Sequence, residues 1–307
     1  MTRNTPPASA LRRSTRCAAA LLVSVAWAAA PGTAQAPATP NPGQHVVLVT
    51  GSTSGLGREV ALRLGAGGSH VIVHGRNRER GMAVVEEINR GEGSARFYRA
   101  DFASFDQVRT FAEAILSDYD RLDVLVNNAG TGSYPDERLM SEDGHEFRFQ
   151  VNYLSPFLLT HMLLPMIRES APSRIVNVSS LAQRPIDWED VMIENNFSGG
   201  RAYGQSKLAQ VGFTFDLHEE LEGSGVMVNA LHPATYMPTG MVARLGVTPR
   251  ATIGEGADAV MQLVVSTEIG GGQFFNQLVP RRAHDQAYDM ESRRKLRELS
   301  RRLTGIR

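Results

Sequence analysis

Thiols are almost absent from this sequence. Its single cysteine, Cys17, falls near the N-terminus, so nothing after residue 44 carries a sulfhydryl. That excludes a disulfide framework, a thiolate zinc site and a cysteine nucleophile from the body of the chain. A net charge is lacking too. Lysine plus arginine number 32 and aspartate plus glutamate 32, so no overall field draws the chain to nucleic acid or to an anionic membrane. The eight histidines show no metal-ligand spacing, and the expectation is a protein without a metal. Internal repeats are missing, and no second linker follows residue 44. At 307 residues and 42% hydrophobic, the chain can bury a large core, in one α/β domain rather than two given the missing linker.

The first 44 residues stand apart. Arg12, Arg13 and Arg16 precede an apolar run, CAAALLVSVAWAAA, that is too short for a comfortable membrane-spanning helix. Small residues and Ala34-Gln35-Ala36 follow, the order of a secretory signal. The expectation is a signal-like segment over 1–36, a Pro-rich linker over 37–44 and a domain over 45–307. That pattern predicts an exported, periplasmic protein, with Arg12-Arg13 suggesting a twin-arginine route; the alternative is a leader on a cytoplasmic enzyme.

From His45 short apolar runs alternate with amphipathic segments, which predicts βαβ units and a parallel sheet. Strands are expected at 45–50, 70–75, 96–101, 122–130, 174–180, 226–233 and 273–276. One helix has Leu56, Val60 and Leu64 on a face and stops at Gly65-Ala66-Gly67-Gly68. Another has Val108, Phe111, Ala112 and Ile115 at helical spacing. A longer helix over 144–169 is expected to kink at Pro156. A last helix near 285–303 would cover a sheet edge or an interface, which leaves a homo-oligomer open.

The first strand runs into TGSTSGLG, with Gly51, Gly55 and Gly57, and then into a helix. Glycines there let the backbone approach a pyrophosphate, and the helix N-terminus offers it unpaired N–H groups. Further on stand Asn127-Asn128-Ala129-Gly130, then Asn152, then Ser180 ending a strand, then Tyr203-Gly-Gln-Ser-Lys207. Tyrosine can give a proton to a carbonyl oxygen, but its ordinary pKa is about 10. Work near neutrality needs a shift of a few units, roughly 4 kcal/mol of preferential phenolate stabilisation. A cation four residues along the same helix face, Lys207, is placed to supply part of it.

In order and spacing these motifs resemble the short-chain dehydrogenase/reductase family throughout 45–280. The resemblance implies a single-domain Rossmann fold: a doubly wound parallel sheet of about seven strands flanked by helices. It implies an oxidoreductase that moves a hydride between a nicotinamide cofactor and a small-molecule alcohol or carbonyl substrate. Tyr203 would be the acid–base group and Ser180, rather than Ser179, would hydrogen-bond the reacting oxygen. Lys207 would also hold the nicotinamide ribose, and Asn152 a water leading to Lys207. The cofactor would lie against Gly51, Ser52, Ser54, Gly55, Leu56 and Gly57, and against Asn128, Ala129 and Gly130. Asp101, Phe102, Tyr203, Lys207 and Pro233 would complete its site. Where NAD-using relatives carry an acidic residue after the second strand, this chain has His74-Gly75-Arg76, with Arg78 close by. Arg76 is suited to a 2′-phosphate, so NADP(H) is expected over NAD(H).

The stretch between Ser180 and Tyr203 is longer than in compact members, and with YGQSKLAQ it resembles the retinol dehydrogenase branch, whose substrates are bulky and apolar. It is shared too with protochlorophyllide reductases, but their light-driven chemistry normally enlists a cysteine. The family's Pro-Gly after the sixth strand is here Pro233-Ala234. The loop beyond it, with Tyr236, Met237, Met241 and Leu245, is a candidate substrate lid or an ordinary crossover. The rivals are a non-catalytic NAD(P)-binding sensor on the same fold and a methyltransferase. Tyr203 with Lys207 argues against both.

Overall fold

Strand follows helix as the apolar runs require, in a computed structural model that describes Met1 and residues 39–306. The strands are β1 (Val46–Val49), β2 (His70–Gly75), β3 (Ser94–Arg99), β4 (Val124–Asn127), β5 (Ser173–Val178), β6 (Val226–His232), β7 (Gln273–Asn276) and β8 (Val279–Pro280). They form one sheet in the order β3-β2-β1-β4-β5-β6-β7-β8, parallel but for the last pair. Every residue of β1, β2 and β4 is buried. Strands covered on both faces read as unbroken apolar runs, which is why they were visible in the sequence.

Helices cover both faces. They are α1 (Gly55–Ala66), α2 (Arg78–Ile88), α3 (Phe105–Asp118), a single turn α4 (Phe147–Phe149), α5 (Ser155–Glu169), α6 (Gly199–Glu220), α7 (Gly240–Ala243), α8 (Ile253–Val265) and α9 (Met290–Thr304). The alternation of side chains along β1 feeds two cores. Val46 and Leu48 join Phe111 of α3, Leu158 of α5 and Leu208 of α6. Val47 and Val49 join Leu64 of α1, Val84 of α2 and Val260 of α8. Between β1 and β4 the strand order reverses, and there the carboxyl ends of the strands open a crevice.

Three local expectations are corrected. The sheet has an eighth strand, Val279–Pro280, turned back antiparallel on β7. The helix expected over 144–169 is distorted earlier than Pro156: Gln150–Leu154 form a π-turn, and Pro156 sits in the first turn of α5. Phe149, Leu154 and Ser155 all keep helical dihedrals, so 147–169 is one continuous run with a π-bulge, and Pro156, which has no N–H to donate, follows directly on that bulge. Third, β4 ends at Asn127, short of residue 130. Its Asn127 Nδ2 donates to Thr160 Oγ1 at 3.0 Å and to Asn177 Oδ1 at 2.9 Å, while Asn177 Nδ2 donates to Thr214 Oγ1 at 2.9 Å. This buried amide chain ties α5, β4, β5 and α6 together behind the crevice.

Candidate active site

The glycine-rich turn is held from below. Thr50 Oγ1 accepts the N–H groups of Asn128 and Ala129, each at 2.9 Å, and Asn128 Nδ2 donates to the carbonyls of Thr50 and Gly51 at 2.8 and 3.3 Å. Gly51 takes φ +66°, which favours glycine, and a Cβ there would lie 2.9 Å from Ala129 Cα. A Cβ on Gly57 would collide with Asn128 Nδ2 and the Gly51 carbonyl. The two motifs therefore form one cradle, open to a cavity of about 450 Å³. A cradle that glycine alone can line, at a helix N-terminus, fits a dinucleotide pyrophosphate.

Gly51, Ser54, Gly55, Leu56 and Gly57 line this cavity, as do Asn128, Ala129 and Gly130. Ser52 does not. It is fully buried, and its Oγ accepts from the His74 N–H at 3.0 Å. Thr53 takes the place beside the cavity that the sequence reading assigned to Ser52. At the far end Arg76, Asp101 and Phe102 line the wall, joined by Arg80, which the sequence reading did not single out. Arg76 is 68% exposed, with Nη1 3.4 Å from Asp101 Oδ2, so its guanidinium is loosely paired. Asp101 Oδ1 accepts from the Ala103 N–H at 3.0 Å, while α3 takes Ser104 as its N-cap.

At the other end Ser180, Tyr203, Lys207 and Pro233 line the same cavity. Burial raises the pKa of Tyr203, and a hydrogen bond with the Ser180 hydroxyl pulls it down. The Lys207 ammonium lies 5.8 Å from the Tyr203 ring centroid. It donates to the carbonyl of Val178 at 2.9 Å and to Gln210 Oε1 at 2.8 Å, both neutral acceptors. Burial brings its pKa down to about 7. Ser179 is engaged elsewhere, its Oγ donating to the Lys207 carbonyl at 2.7 Å. Asn152, in the π-turn, is buried: its Oδ1 accepts from Thr131 N–H at 2.7 Å, and its Nδ2 donates to the Thr131 carbonyl at 3.0 Å and to Ser206 Oγ at 2.9 Å. It clamps the strand-end loop onto α6 and keeps one Oδ1 lone pair free of these bonds.

The side walls are apolar. Phe147 and Val151, one helical turn apart and just ahead of Asn152, line the cavity, as do Met237, Met241 and Val242 of the segment after β6. Met237 is half-buried against Leu56 and Gly256, while Tyr236 stays exposed. Met241 faces Gly132. The strip 132–137 opposite it is held by Arg148. Its Nε donates to the Gly132 carbonyl at 3.0 Å, and its Nη atoms donate to the carbonyls of Ser133, Pro135 and Glu137. Arg148 pairs with Glu146 at 3.1 Å, both side chains 1% exposed.

A nucleotide cradle joined to a Ser–Tyr–Lys group defines a dehydrogenase site, and over residues 45–249 the chain matches the short chain dehydrogenase family, to which it belongs. It is an NAD(P)-dependent short-chain dehydrogenase/reductase acting on CH–OH groups. It is 36% identical to retinol dehydrogenase 13 of Homo sapiens, over 100% of this chain and 96% of that protein. With retinol dehydrogenase 13 of Mus musculus it shares 45% identity over 61% of this chain, a stretch that spans 57% of the mouse protein. Among solved structures it is similar to the Pseudomonas aeruginosa RhlG/NADP active-site complex, with TM-score 0.62, 27% identity, and 76% and 94% of the two chains covered. A metagenomic short-chain oxidoreductase in complex with NADP aligns with TM-score 0.61 and 27% identity, over 76% and 96% of the two chains.

The same relatives overturn the expectation of an exported, periplasmic protein. The human retinol dehydrogenase 13 alignment takes in all of this chain, residues 1–44 included, and nearly all of its own length. Retinol dehydrogenases 13 and 14 are membrane-associated proteins, not exported or periplasmic ones, and this likeness is what runs against the expectation. The pattern read as a signal, and Cys17 with it, lies outside the described residues. Among the described residues no helix is long and apolar enough to cross a membrane, and no cluster of metal-ligating side chains forms.

Proposed function

We propose that this enzyme moves a hydride between NADP(H) and a bulky, apolar alcohol or carbonyl compound, with Tyr203 as its acid–base group. The observation that carries the reading is the meeting of Ser180, Tyr203 and Lys207 at one end of a cavity whose other end is the glycine cradle. Bound there, the nicotinamide ring supplies or accepts the hydride. Tyr203 hands the proton to the substrate oxygen, and the Ser180 hydroxyl steadies the charge that develops on it. Lys207, held against neutral acceptors, brings a positive charge to the phenol and to the cofactor ribose when the bound cofactor's phosphates favour its protonated form. Asn152 positions Thr131 and Ser206 on either side and offers its remaining lone pair to a water leading to Lys207. Tyr203→Phe keeps the ring and removes the proton donor. Activity should fall by about 10²–10⁴ while NADPH binding is retained, and a variant that turns over like the parent sinks the mechanism.

Two features support the finer assignments. Gly75 stands where a carboxylate would repel a 2′-phosphate, and the loosely paired Arg76 faces the cavity with Arg80. A charge-assisted hydrogen bond contributes roughly 1.5–3 kcal/mol, so NADP(H) should be preferred about tenfold or more in efficiency. Arg76→Ala should then harm NADPH use far more than NADH use; equal losses would point to stacking on the adenine alone. For the substrate, the walls of Phe147, Val151 and Met241 are suited to a long apolar group, and two relatives are named for retinol.

A further inference from the structure

The cradle rests on a histidine that no step of the hydride transfer uses. His74 is 2% exposed near the end of β2, directly behind the glycine-rich turn. Its backbone binds that turn in both directions: the Ser52 N–H donates to the His74 carbonyl at 2.9 Å, and the His74 N–H donates to Ser52 Oγ at 3.0 Å. Its side chain adds a third bond, because Nδ1 accepts the Gly51 N–H at 3.1 Å. The ring is sandwiched between Phe102, at 4.6 Å and 26°, and Phe111, at 4.7 Å and 23°.

An imidazole nitrogen accepts a hydrogen bond only when it carries no proton. The bond from Gly51 therefore requires the tautomer with hydrogen on Nε2. Burial between the two phenylalanines favours the neutral ring and holds its pKa down to about 4, against the opposing pull of the Ala100 carbonyl and Asp101. Nε2 faces the Ala100 carbonyl without completing a well-formed hydrogen bond, so the Nδ1 contact is the ring's one good polar anchor. Gly51 itself is gripped at both ends of its residue, its N–H by His74 and its carbonyl by Asn128 Nδ2. An unpartnered donor there would cost more than the hydrogen bond itself is worth, and the turn would reorient to find water.

We propose that His74 is a positioning residue for the dinucleotide site: through its unprotonated Nδ1 it fixes the Gly51 peptide and so preorganises the pyrophosphate turn. It touches no reacting atom, so its effect is on cofactor affinity and not on the chemical step. This is separate from the role of Tyr203, because binding is read without turnover.

The test is NADPH affinity by titration calorimetry, beside kcat at saturating cofactor and the melting temperature. His74→Leu removes the acceptor and keeps an apolar filling; it should weaken NADPH binding about tenfold or more, with kcat changed far less. His74→Asn carries Oδ1 close to where Nδ1 stood and should restore most of the affinity. In the parent, nitrogen NMR of His74 should show an unprotonated Nδ1 and a protonated Nε2 through neutral pH, a readout that survives even if the leucine variant does not fold. A parent with the proton on Nδ1 overturns the proposal. So does a leucine variant that binds like the parent, or leucine and asparagine variants that weaken binding equally in step with lost melting temperature.

Discussion

Gly132 owes its place to a neighbour's reach. Arg148 holds its carbonyl, and a Cβ added to it would lie 2.7 Å from Met241 Cγ. The missing side chain is the space into which Met241 packs, where the segment after β6 meets the strip after β4. Gly132→Ala should therefore push the thioether aside and change KM for bulky carbonyls severalfold, with little effect on cofactor affinity. Equal losses for every substrate and for NADPH would show the contact to be structural only. A second variant, Gly132→Ala with Met241→Ala, should bring KM back towards the parent. None of this was readable in the sequence, since Gly132 and Met241 are far apart along the chain. Ser180 and Ser179, by contrast, were separable from motif position. Ser52 was not, because a loop motif does not say which of two neighbouring hydroxyls turns inward.

Every expected strand is present, and β1, β2 and β4 were the most legible because the parallel sheet buries them on both faces and they read as unbroken apolar runs. The distorted helix was legible only as a distortion. Its position at Gln150–Leu154 reflects which carbonyls the backbone chooses, and Pro156 misdirected the reading by one turn. The Glu146–Arg148 pair was invisible, because charged residues ordinarily lie on the surface. Packed with carbonyls of the following strip, it shapes a wall that no strand or helix provides. Arg148→Met leaves Glu146 buried without its cation, which should destabilise the fold by about 3–5 kcal/mol. Urea unfolding measures this directly, and a loss under about 1 kcal/mol would show that the strip is held by other contacts.

Over the whole molecule, the family and its nicotinamide class of cofactor were legible because five motifs follow one another in order along one domain. The N-terminal expectation failed because a basic, apolar, small-residue order is compositional, and composition alone does not name a destination. Charge is balanced over the chain, yet one buried amine is not at rest. With a pKa near 7, Lys207 is largely neutral at pH 8 in the free enzyme. Arrival of NADPH brings several negative phosphate charges into the cavity that Lys207 lines, which raises that pKa and draws a proton from solvent. Cofactor binding at pH 8 should therefore absorb up to about one proton per chain. The heat of binding would then depend on the buffer: larger in phosphate, whose ionisation costs little enthalpy, than in Tris, whose proton is costly to remove. Identical heats in the two buffers would mean that Lys207 does not change its charge when the cofactor arrives. The enzyme would otherwise register its own loading as a small alkalinisation of the surrounding medium.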